Sequence, residues 1–213
     1  MAETLRRGAP RLANVRGLAD AGFFLDHANI SGAPRIRSEF QYLFAMANVS
    51  GSTNAACAAA HARDAPADAW RCFMAQYVLD YVRTPVFLAE GKYDSWQLNN
   101  VLQLGCGSPT PETTCDAARL QAFFAYGDAM AAAVGAALAK HPGAGAFFSA
   151  CIVHCQTVYN EGQDRWHAWR VGGLTPAEAF GNFFFAARAR EGRPTRAVDT
   201  VAYPGNPSCP VWT

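Results

Sequence analysis

The sequence predicts one domain with an α/β fold, in which helices pack on a mostly parallel sheet. Short apolar runs of strand length alternate with longer segments whose apolar residues recur at helical spacing. Proline and glycine separate several of these segments, as at Thr84-Pro85 and Pro142-Gly143. Strands that alternate with helices are typical of parallel sheets, whose functional sites lie at the carboxyl ends of the strands.

Three buried strands are predicted, each from a short apolar run. The first covers residues 15–18, the second covers residues 86–89 and the third covers residues 146–153. Asp94 follows the second strand within a few residues, and His154 follows the third strand directly. Because the carboxyl ends of parallel strands meet at the same edge of a sheet, we expect these two side chains to lie close together.

Four helices are predicted around these strands. The first follows Pro34 and the second covers residues 70–83, both from the helical spacing of apolar residues. Asp116 is placed to cap a long third helix that stops at His141-Pro142-Gly143. Thr175-Pro176-Ala177-Glu178 is a capping box with proline at the first helical position, and it opens the fourth helix. The apolar stripes of the first and third helices are Ile36, Phe40, Leu43, Phe44 and Ala47, and Leu120, Phe123, Phe124, Met130, Val134 and Leu138.

The composition excludes several classes of partner. Of the 213 residues, 51% are hydrophobic and 16% are charged, which is typical of a folded domain and unlike a disordered chain. The formal net charge is +1 and the arginines are dispersed, so the sequence predicts no nucleic-acid partner. Uncharged apolar stretches stay well short of the roughly 20 residues that a membrane span needs, so no membrane partner is expected either.

Seven scattered cysteines favour an oxidising compartment and disulfide bonds over a metal cluster. The sequons that begin at Asn29 and Asn48 point the same way and predict a secreted glycoprotein. The first residues carry several arginines where a signal peptide would have its apolar core. Since the cysteine count is odd, we interpret the chain as a fragment whose upstream sequence, with the signal peptide and the seventh cysteine's partner, is missing.

Asp94 and His154 are the candidate catalytic residues. A histidine at a strand end can take a proton from a serine and return it to a leaving alcohol, while a carboxylate holds the ring in the correct tautomer. The chain order of acid and then histidine fits a Ser-Asp-His enzyme of this fold class. The alternative is that the two residues are a hydrogen-bonded loop acid and a histidine at the edge of the core.

Other side chains are weaker candidates for chemistry. Ser95 adjoins the acid in sequence, Ser149 lies inside a predicted strand, and Cys155 is poorly placed to be activated by its neighbour. Cys151 and Cys155 with the histidine between them lack the second ligand pair of a structural zinc site. The sequence therefore predicts neither a metal nor an organic cofactor.

Trp166 and Trp169 are candidate substrate-binding residues. They lie in the polar, glycine-bearing segment at residues 160–173, which follows the candidate histidine. An indole ring can stack on a sugar ring through its apolar face. The alternative is that both rings simply cover the core.

Several segments, taken in order, resemble the landmarks of the pectin acetylesterase family, to which Notum is related. They are LADAGFFLD at residues 18–26, CFMAQYV at 72–78 with TPVF at 84–87, YDSWQ at 93–97, CIVHCQ at 151–156 and YPGNPSC at 203–209. The resemblance implies a partial α/β-hydrolase-like three-layer fold with a mostly parallel sheet. It makes Asp94 the triad acid and His154 the triad base.

The same resemblance implies a function and a location. It implies a carboxylic ester hydrolase that removes acetyl groups from pectin-like cell-wall polysaccharide by a Ser-Asp-His mechanism, without a cofactor. The intact protein is expected to be a monomer that is secreted and acts outside the cell or in the cell wall.

The nucleophile is where the sequence departs from the family. In the family a serine elbow and a glycine-rich oxyanion loop precede the first landmark, and this sequence contains no Gly-x-Ser-x-Gly motif. We therefore expect residues 1–213 to be the C-terminal portion of a single hydrolase domain, with the N-terminal strands missing and no esterase activity of its own. Two alternatives stay open: a non-catalytic derivative that binds glycan or a partner protein, and an incomplete gene model of an ordinary esterase.

Overall fold

The computed structural model describes residues 15–106, 111–157, 164–185 and 192–209. The chain divides into two compact units. The sheet unit comprises Met1–Gly22, Arg83–Asp94 and His141–Thr213, and the helical unit comprises Phe23–Val82 and Ser95–Lys140. Both candidate catalytic residues belong to the sheet unit.

Strands and helices alternate along the chain as the sequence predicts. The strands are β1 (Gly17–Asp20), β2 (Val86–Tyr93), β3 (Gly145–Ile152) and β4 (Arg196–Val198). The α-helices are α1 (Arg35–Met46), α2 (Ala55–Asp64), α3 (Ala75–Val78), α4 (Ser95–Asn100), α5 (Pro111–Thr114), α6 (Ala117–Lys140), α7 (Arg165–Ala168) and α8 (Pro176–Phe185). Short 3₁₀ helices lie at Val49–Gly51, Pro66–Phe73 and Leu79–Tyr81.

The sheet unit contains a four-stranded sheet in the order β1-β2-β3-β4, and every pair of neighbouring strands is parallel. β3 is buried along its whole length, and β2 is buried at every residue after the first. Near-continuous burial is expected for central strands of a parallel sheet, since both faces are covered. The predicted α/β class with a parallel sheet is therefore confirmed.

The bounds of two strands differ from the prediction. β2 continues to Tyr93 rather than ending at residue 89. Glu90 and Lys92 are buried within it, although charged residues seldom occupy such positions. β1 begins at Gly17 rather than at residue 15, and Leu18 is 42% exposed. Among the described residues, β1 pairs with β2 alone.

The core of the sheet unit forms around β2, β3 and α8. Gly145 permits a close approach there, since a Cβ atom at this position would lie 2.6 Å from a ring atom of Phe87 and 2.7 Å from one of Phe183. Only glycine therefore fits without a shift of these rings. The buried members of this core are Phe87, Ala89, Phe147, Cys151, Val153, Trp169, Val171, Ala179, Phe183, Ala197 and Cys209.

Two predicted helix starts have the expected capping contacts. The N–H of Thr175 donates to Glu178 Oε2 at 2.8 Å, and the N–H of Glu178 donates to Thr175 Oγ1 at 3.1 Å. This reciprocal pair is a capping box, and α8 begins directly after Thr175. At the start of α6, Asp116 Oδ1 accepts the N–H of Arg119 at 2.8 Å.

The predicted continuous helix at residues 70–83 is wrong. The chain forms a 3₁₀ helix at Pro66–Phe73, the short α3, and a second 3₁₀ helix at Leu79–Tyr81. Met74 separates the first two with an extended backbone, φ −108° and ψ 135°, and its side chain is fully buried. The apolar spacing is compatible with a helix, but the chain is extended at Met74.

α1 forms where its apolar stripe predicts a helix, and the stripe is buried only in part. Ile36 is buried, Phe40 and Phe44 are half-buried, and Leu43 is 39% exposed. Helical spacing thus identified the helix, but only part of the predicted stripe is a buried face.

α6 is long and apolar enough to cross a membrane, judged by length and composition. Its apolar side chains Phe123, Met130, Val134 and Leu138 are buried and recur at helical spacing, which is the pattern of a core helix. A core helix passes the same length and hydropathy test, and 33% of the apolar stretch of α6 is buried.

Candidate active site

His154 and Asp94 lie together at the carboxyl ends of β3 and β2. The Nδ1 atom of His154 is 2.8 Å from Oδ2 of Asp94, which is hydrogen-bonding distance. The Asp94 side chain is fully buried, and the His154 side chain is 30% exposed. The structure therefore brings together the two residues that the sequence singled out, and their catalytic role stays a prediction.

The pairing of β2 with β3 fixes this contact. Tyr93 is in register with Ile152, and the N–H of Val153 donates to the carbonyl of Tyr93 at 3.3 Å. The residues that follow these strands consequently leave the sheet side by side. The chain after β3 approaches β2 closely at Gly91, since a Cβ atom there would lie 2.9 Å from Cγ1 of Val153.

The surroundings of His154 favour its protonated form. The hydrogen bond with Asp94 is the largest cause that raises the pKa of His154, burial of the ring lowers that pKa, and the charges of Asp94 and Asp20 raise it further. The net direction is upward. Because Nδ1 faces Asp94, Nε2 is the ring nitrogen that can exchange a proton with a substrate.

Two charged side chains hold the loop that follows His154. Asp20 Oδ1 accepts the N–H of Gln156 at 2.7 Å, and Oδ2 accepts the N–H of Thr157 at 2.8 Å together with the Thr157 hydroxyl. Arg165 Nη1 donates to the carbonyls of His154 and of the next residue, at 3.3 and 3.2 Å. Sequence analysis missed Asp20 as a site residue because it acts on a segment far away in the chain. It missed Arg165 because that residue lies outside any motif.

Cys155 is the free cysteine among the residues that the structure describes. Burial is the largest cause that raises the pKa of its thiol, and the negative charges of Asp20 and Asp94 add to that effect. A thiol with a raised pKa forms less thiolate, which is the nucleophilic species. These surroundings agree with the expectation that Cys155 is not a nucleophile.

The two candidate substrate-binding tryptophans differ in exposure. Trp169 is 5% exposed and belongs to the core, with the guanidinium carbon of Arg165 5.6 Å from its ring centroid. Trp166 is half-buried, and its ring lies 6.0 Å from that of Phe180. Both assignments stay predictions, and the low exposure of Trp169 favours the alternative that it covers the core.

Six cysteines form the disulfides Cys57–Cys72, Cys106–Cys115 and Cys151–Cys209. The expectation that the cysteines serve disulfide bonds is confirmed, whereas their pairing could not be obtained from the sequence. In the described part of the chain, the sulfurs of Cys57 and Cys72 lie with a ring nitrogen of His61 in a group within 4.8 Å of one another. Metal ligation needs thiolates, so this group does not fit a metal ion while its two sulfurs form a disulfide.

The helical unit holds a polar network that sequence analysis did not find. Asp26 Oδ2 accepts hydrogen bonds from the Tyr77 hydroxyl at 2.5 Å and from Arg37 Nη2 at 3.0 Å, and the Asp26 side chain is 2% exposed. Burial, and then Asp26, raises the pKa of Tyr77 to about 12. The hydrogen bond with Asp26 also raises the pKa of Arg37. Tyr77 is 51 residues from Asp26, so no local pattern could reveal the contact.

The first sequon lies in an ordered turn of the helical unit. Oδ1 of Asn29 accepts the N–H and the hydroxyl of Ser31, at 3.0 and 2.8 Å. Nδ2 of Asn29, the atom that would carry a glycan, donates to Gln103 Oε1 at 2.6 Å. Asn48, the second sequon asparagine, has a left-handed backbone with φ 48°. Glycosylation at either position stays a prediction.

Comparison with known proteins supplies the family. A model of the pectinacetylesterase family matches residues 1–210. Pectin acetylesterase 5 of Arabidopsis thaliana is 30% identical over 211 residues, which cover 94% of this chain and 46% of the relative. Pectin acetylesterase 7 of the same plant is 28% identical over 216 residues, which cover 98% of this chain and 52% of the relative. The chain thus spans about half the length of these curated relatives.

A solved structure supports the fold. The Wnt deacylase Notum from Drosophila superposes with a TM-score of 0.70, covering 98% of this chain and 53% of the Notum chain at 17% sequence identity. At that identity the likeness concerns the fold alone. The chain has the Notum-like α/β-hydrolase fold, and the predicted fold class and family resemblance are both confirmed.

Proposed function

Because this chain belongs to the pectinacetylesterase family of Notum-like carboxylic ester hydrolases, we propose that it supplies the acid and the base of a serine-type acetylesterase. The substrate class that we propose is acetylated, pectin-like cell-wall polysaccharide. The observation that carries the proposal is the 2.8 Å contact between His154 Nδ1 and a fully buried Asp94 carboxylate. A histidine held in this way is a general base of the kind that ester hydrolases use.

In the proposed reaction, a serine oxygen attacks the acetyl carbonyl carbon while His154 Nε2 takes the serine proton. The resulting imidazolium is stabilised by Asp94 through Nδ1. When the carbon–oxygen bond to the sugar breaks, Nε2 returns the proton to the leaving sugar oxygen, and an acetyl-enzyme remains. Water then attacks the acetyl carbon and gives its proton to Nε2. Acetate leaves, and that proton returns to the serine.

We further propose that the serine is not among these 213 residues, so the chain has no esterase turnover by itself. The sequence contains no Gly-x-Ser-x-Gly elbow. Ser149 is fully buried within β3, which is unsuitable for a nucleophile that must meet substrate. Loss of the serine and of the oxyanion donors would remove most of the catalytic power of such an enzyme.

The proposed location is outside the cell or in the cell wall. Three disulfides in a chain of this size fit an oxidising compartment, since such bonds rarely persist in the cytosol. We also propose that the protein is secreted and monomeric and uses no metal or organic cofactor.

The test compares this chain with the protein translated from its complete transcript. We expect no burst of p-nitrophenol from p-nitrophenyl acetate with this chain alone, and release of acetate from acetylated pectin by the complete product. In the complete product, His154→Ala should lower acetate release by roughly 10⁴-fold or more. His167→Ala is the matched control, because His167 is exposed and its Nδ1 contacts a different carboxylate, that of Asp164, at 2.9 Å.

Two results would change the proposal. A burst from this chain alone that His154→Ala abolishes would show that the chain holds its own nucleophile. A complete transcript that encodes no elbow serine would favour the alternative of a non-catalytic protein that binds glycan or a partner protein.

A further inference from the structure

We infer that Asp20 is a positioning residue for His154: its carboxylate fixes the backbone of the loop that carries the histidine away from β3. The inference rests on the proposed role of His154 as a base, but its test needs no catalysis. Asp20 is the last residue of β1.

The contact is made by both oxygens of one carboxylate with consecutive backbone groups. Oδ1 accepts the N–H of Gln156 at 2.7 Å, and Oδ2 accepts the N–H of Thr157 at 2.8 Å. The Thr157 hydroxyl donates to the same Oδ2 atom. Charge-assisted hydrogen bonds of this kind are stronger than neutral ones, and three on one carboxylate fix both its orientation and that of the loop.

The loop needs such support because of its backbone. Cys155, between the histidine and the clamped residues, has φ 60°, a left-handed conformation that is unfavourable for a residue with a Cβ atom. A residue keeps this strained backbone conformation when several surrounding contacts fix it. Without the contacts to Asp20, Cys155 could relax toward a right-handed backbone and change the direction in which His154 leaves β3.

A positively charged side chain, that of Arg165, holds the other side of the same loop. Arg165 of α7, whose side chain is buried, donates from Nη1 to the carbonyls of His154 and Cys155. The anion of Asp20 thus binds two N–H groups, while the cation of Arg165 binds two carbonyl groups of the preceding residues. Each partner matches the polarity of the backbone groups that it meets.

The sheet order explains why this clamp affects the site. β1 and β3 are not neighbours, since β2 lies between them. A loop that leaves β3 and contacts the end of β1 must cross the carboxyl end of β2, where Asp94 is located. Asp94 therefore contacts the ring of His154, and Asp20, on a different strand, holds the backbone two and three residues further along the loop.

Among the described residues, the charged and titratable groups near His154 include Asp94 after β2, Asp20 on β1, Arg165 on α7 and the neighbouring thiol of Cys155. The negative charge of Asp20 raises the pKa of His154. Replacing that charge by a neutral amide should therefore lower the pKa of His154, in addition to loosening the loop.

The experiment uses Asp20→Asn in this chain, with Asp116→Asn as the matched control. Asp116 is an exposed carboxylate that also accepts a backbone N–H, that of Arg119, so the control makes the same charge change in the helical unit. The ring resonances of His154 are titrated by NMR, and amide hydrogen exchange is measured at Gln156 and Thr157.

We expect Asp20→Asn to shift the pKa of His154 downward and to speed exchange at the two loop amides by roughly 10-fold or more. Asp116→Asn should change neither quantity. Faster exchange with an unchanged pKa of His154 would mean that Asp20 is merely structural, which overturns the inference. Unchanged exchange would overturn it as well.

If Asp20→Asn does not fold, the variant Thr157→Val tests the inference in its place. This variant removes the hydroxyl donor but keeps both N–H groups. Faster exchange at Gln156 and Thr157 would support the clamp, and exchange equal to that of the unmodified chain would contradict it. Neither result depends on esterase activity, so failure of the inference and failure of the proposed function are distinguishable.

Discussion

The hydroxyl of Tyr77 donates a 2.5 Å hydrogen bond to a carboxylate oxygen of Asp26, which also lies 3.0 Å from a guanidinium nitrogen of Arg37. The Asp26 side chain is 2% exposed, whereas that of Arg37 is 44% exposed. The half-buried tyrosine therefore donates to a buried anion, and the more exposed arginine links the same anion to the surface. Removing either donor leaves a buried charge less well compensated.

Tyr77→Phe should lower the free energy of unfolding by about 1–3 kcal/mol, because it removes a donor to a buried charged acceptor. Urea denaturation followed by circular dichroism measures the change. Tyr42→Phe is the matched control, since Tyr42 is 65% exposed, and it should change the stability by less than about 0.5 kcal/mol. Equal effects of the two substitutions would contradict the network.

Stability should also fall in strongly alkaline solution because of Tyr77. Its pKa is raised from 10.0 to about 12, so between these values the folded state keeps a proton that the unfolded state releases. The stabilisation is complete below pH 10 and is lost as the pH rises through about 12. Urea titrations at several pH values should show a steeper decline in the unmodified chain than in Tyr77→Phe, and parallel declines would exclude this linkage.

Gly145→Ala should destabilise the sheet unit by about 1–3 kcal/mol, because a methyl group there overlaps the rings of Phe87 and Phe183. Gly135→Ala in α6 is the control, since no heavy atom lies within 4 Å of the added Cβ. That substitution should stabilise the protein by roughly 0.5–1 kcal/mol through helix propensity. Thermal or urea unfolding checks both, and the opposite order of stability would refute the packing described for β3 and α8.

The disulfide Cys151–Cys209 joins β3 to the C-terminal tail across 58 residues. Replacing both cysteines by serine should lower the stability of the oxidised protein by about 2–5 kcal/mol. Cys155→Ser is the control, because Cys155 is a free thiol and its replacement breaks no disulfide. If both variants melted at the same temperature as the unmodified chain, the disulfide would contribute nothing to the folded state.

Local patterns predicted the parts of the fold that local chemistry determines. The apolar run of β3 and the capping box at Thr175 and Glu178 lie where the sequence placed them. The second half of β2 was missed because its burial of Glu90 contradicts the usual position of a charged side chain. A pattern read along the chain has no signal for such an exception.

The candidate site was also predicted only in part from the sequence. Strand order and family landmarks identified Asp94 and His154, which the structure places 2.8 Å apart. They did not identify Asp20, whose carboxylate meets Thr157 at a separation of 137 residues. A single sequence contains no signal for one long-range hydrogen bond, so this contact required the folded chain.

The pairing of Asp94 with His154 is tested most directly by NMR titration of the His154 ring in the unmodified chain and in Asp94→Asn. Because the hydrogen bond with Asp94 is the main cause that raises the pKa of His154, we predict a lower pKa for His154 in the variant. A folded Asp94→Asn protein in which His154 titrates at the same pH as before would contradict the acid–base pair.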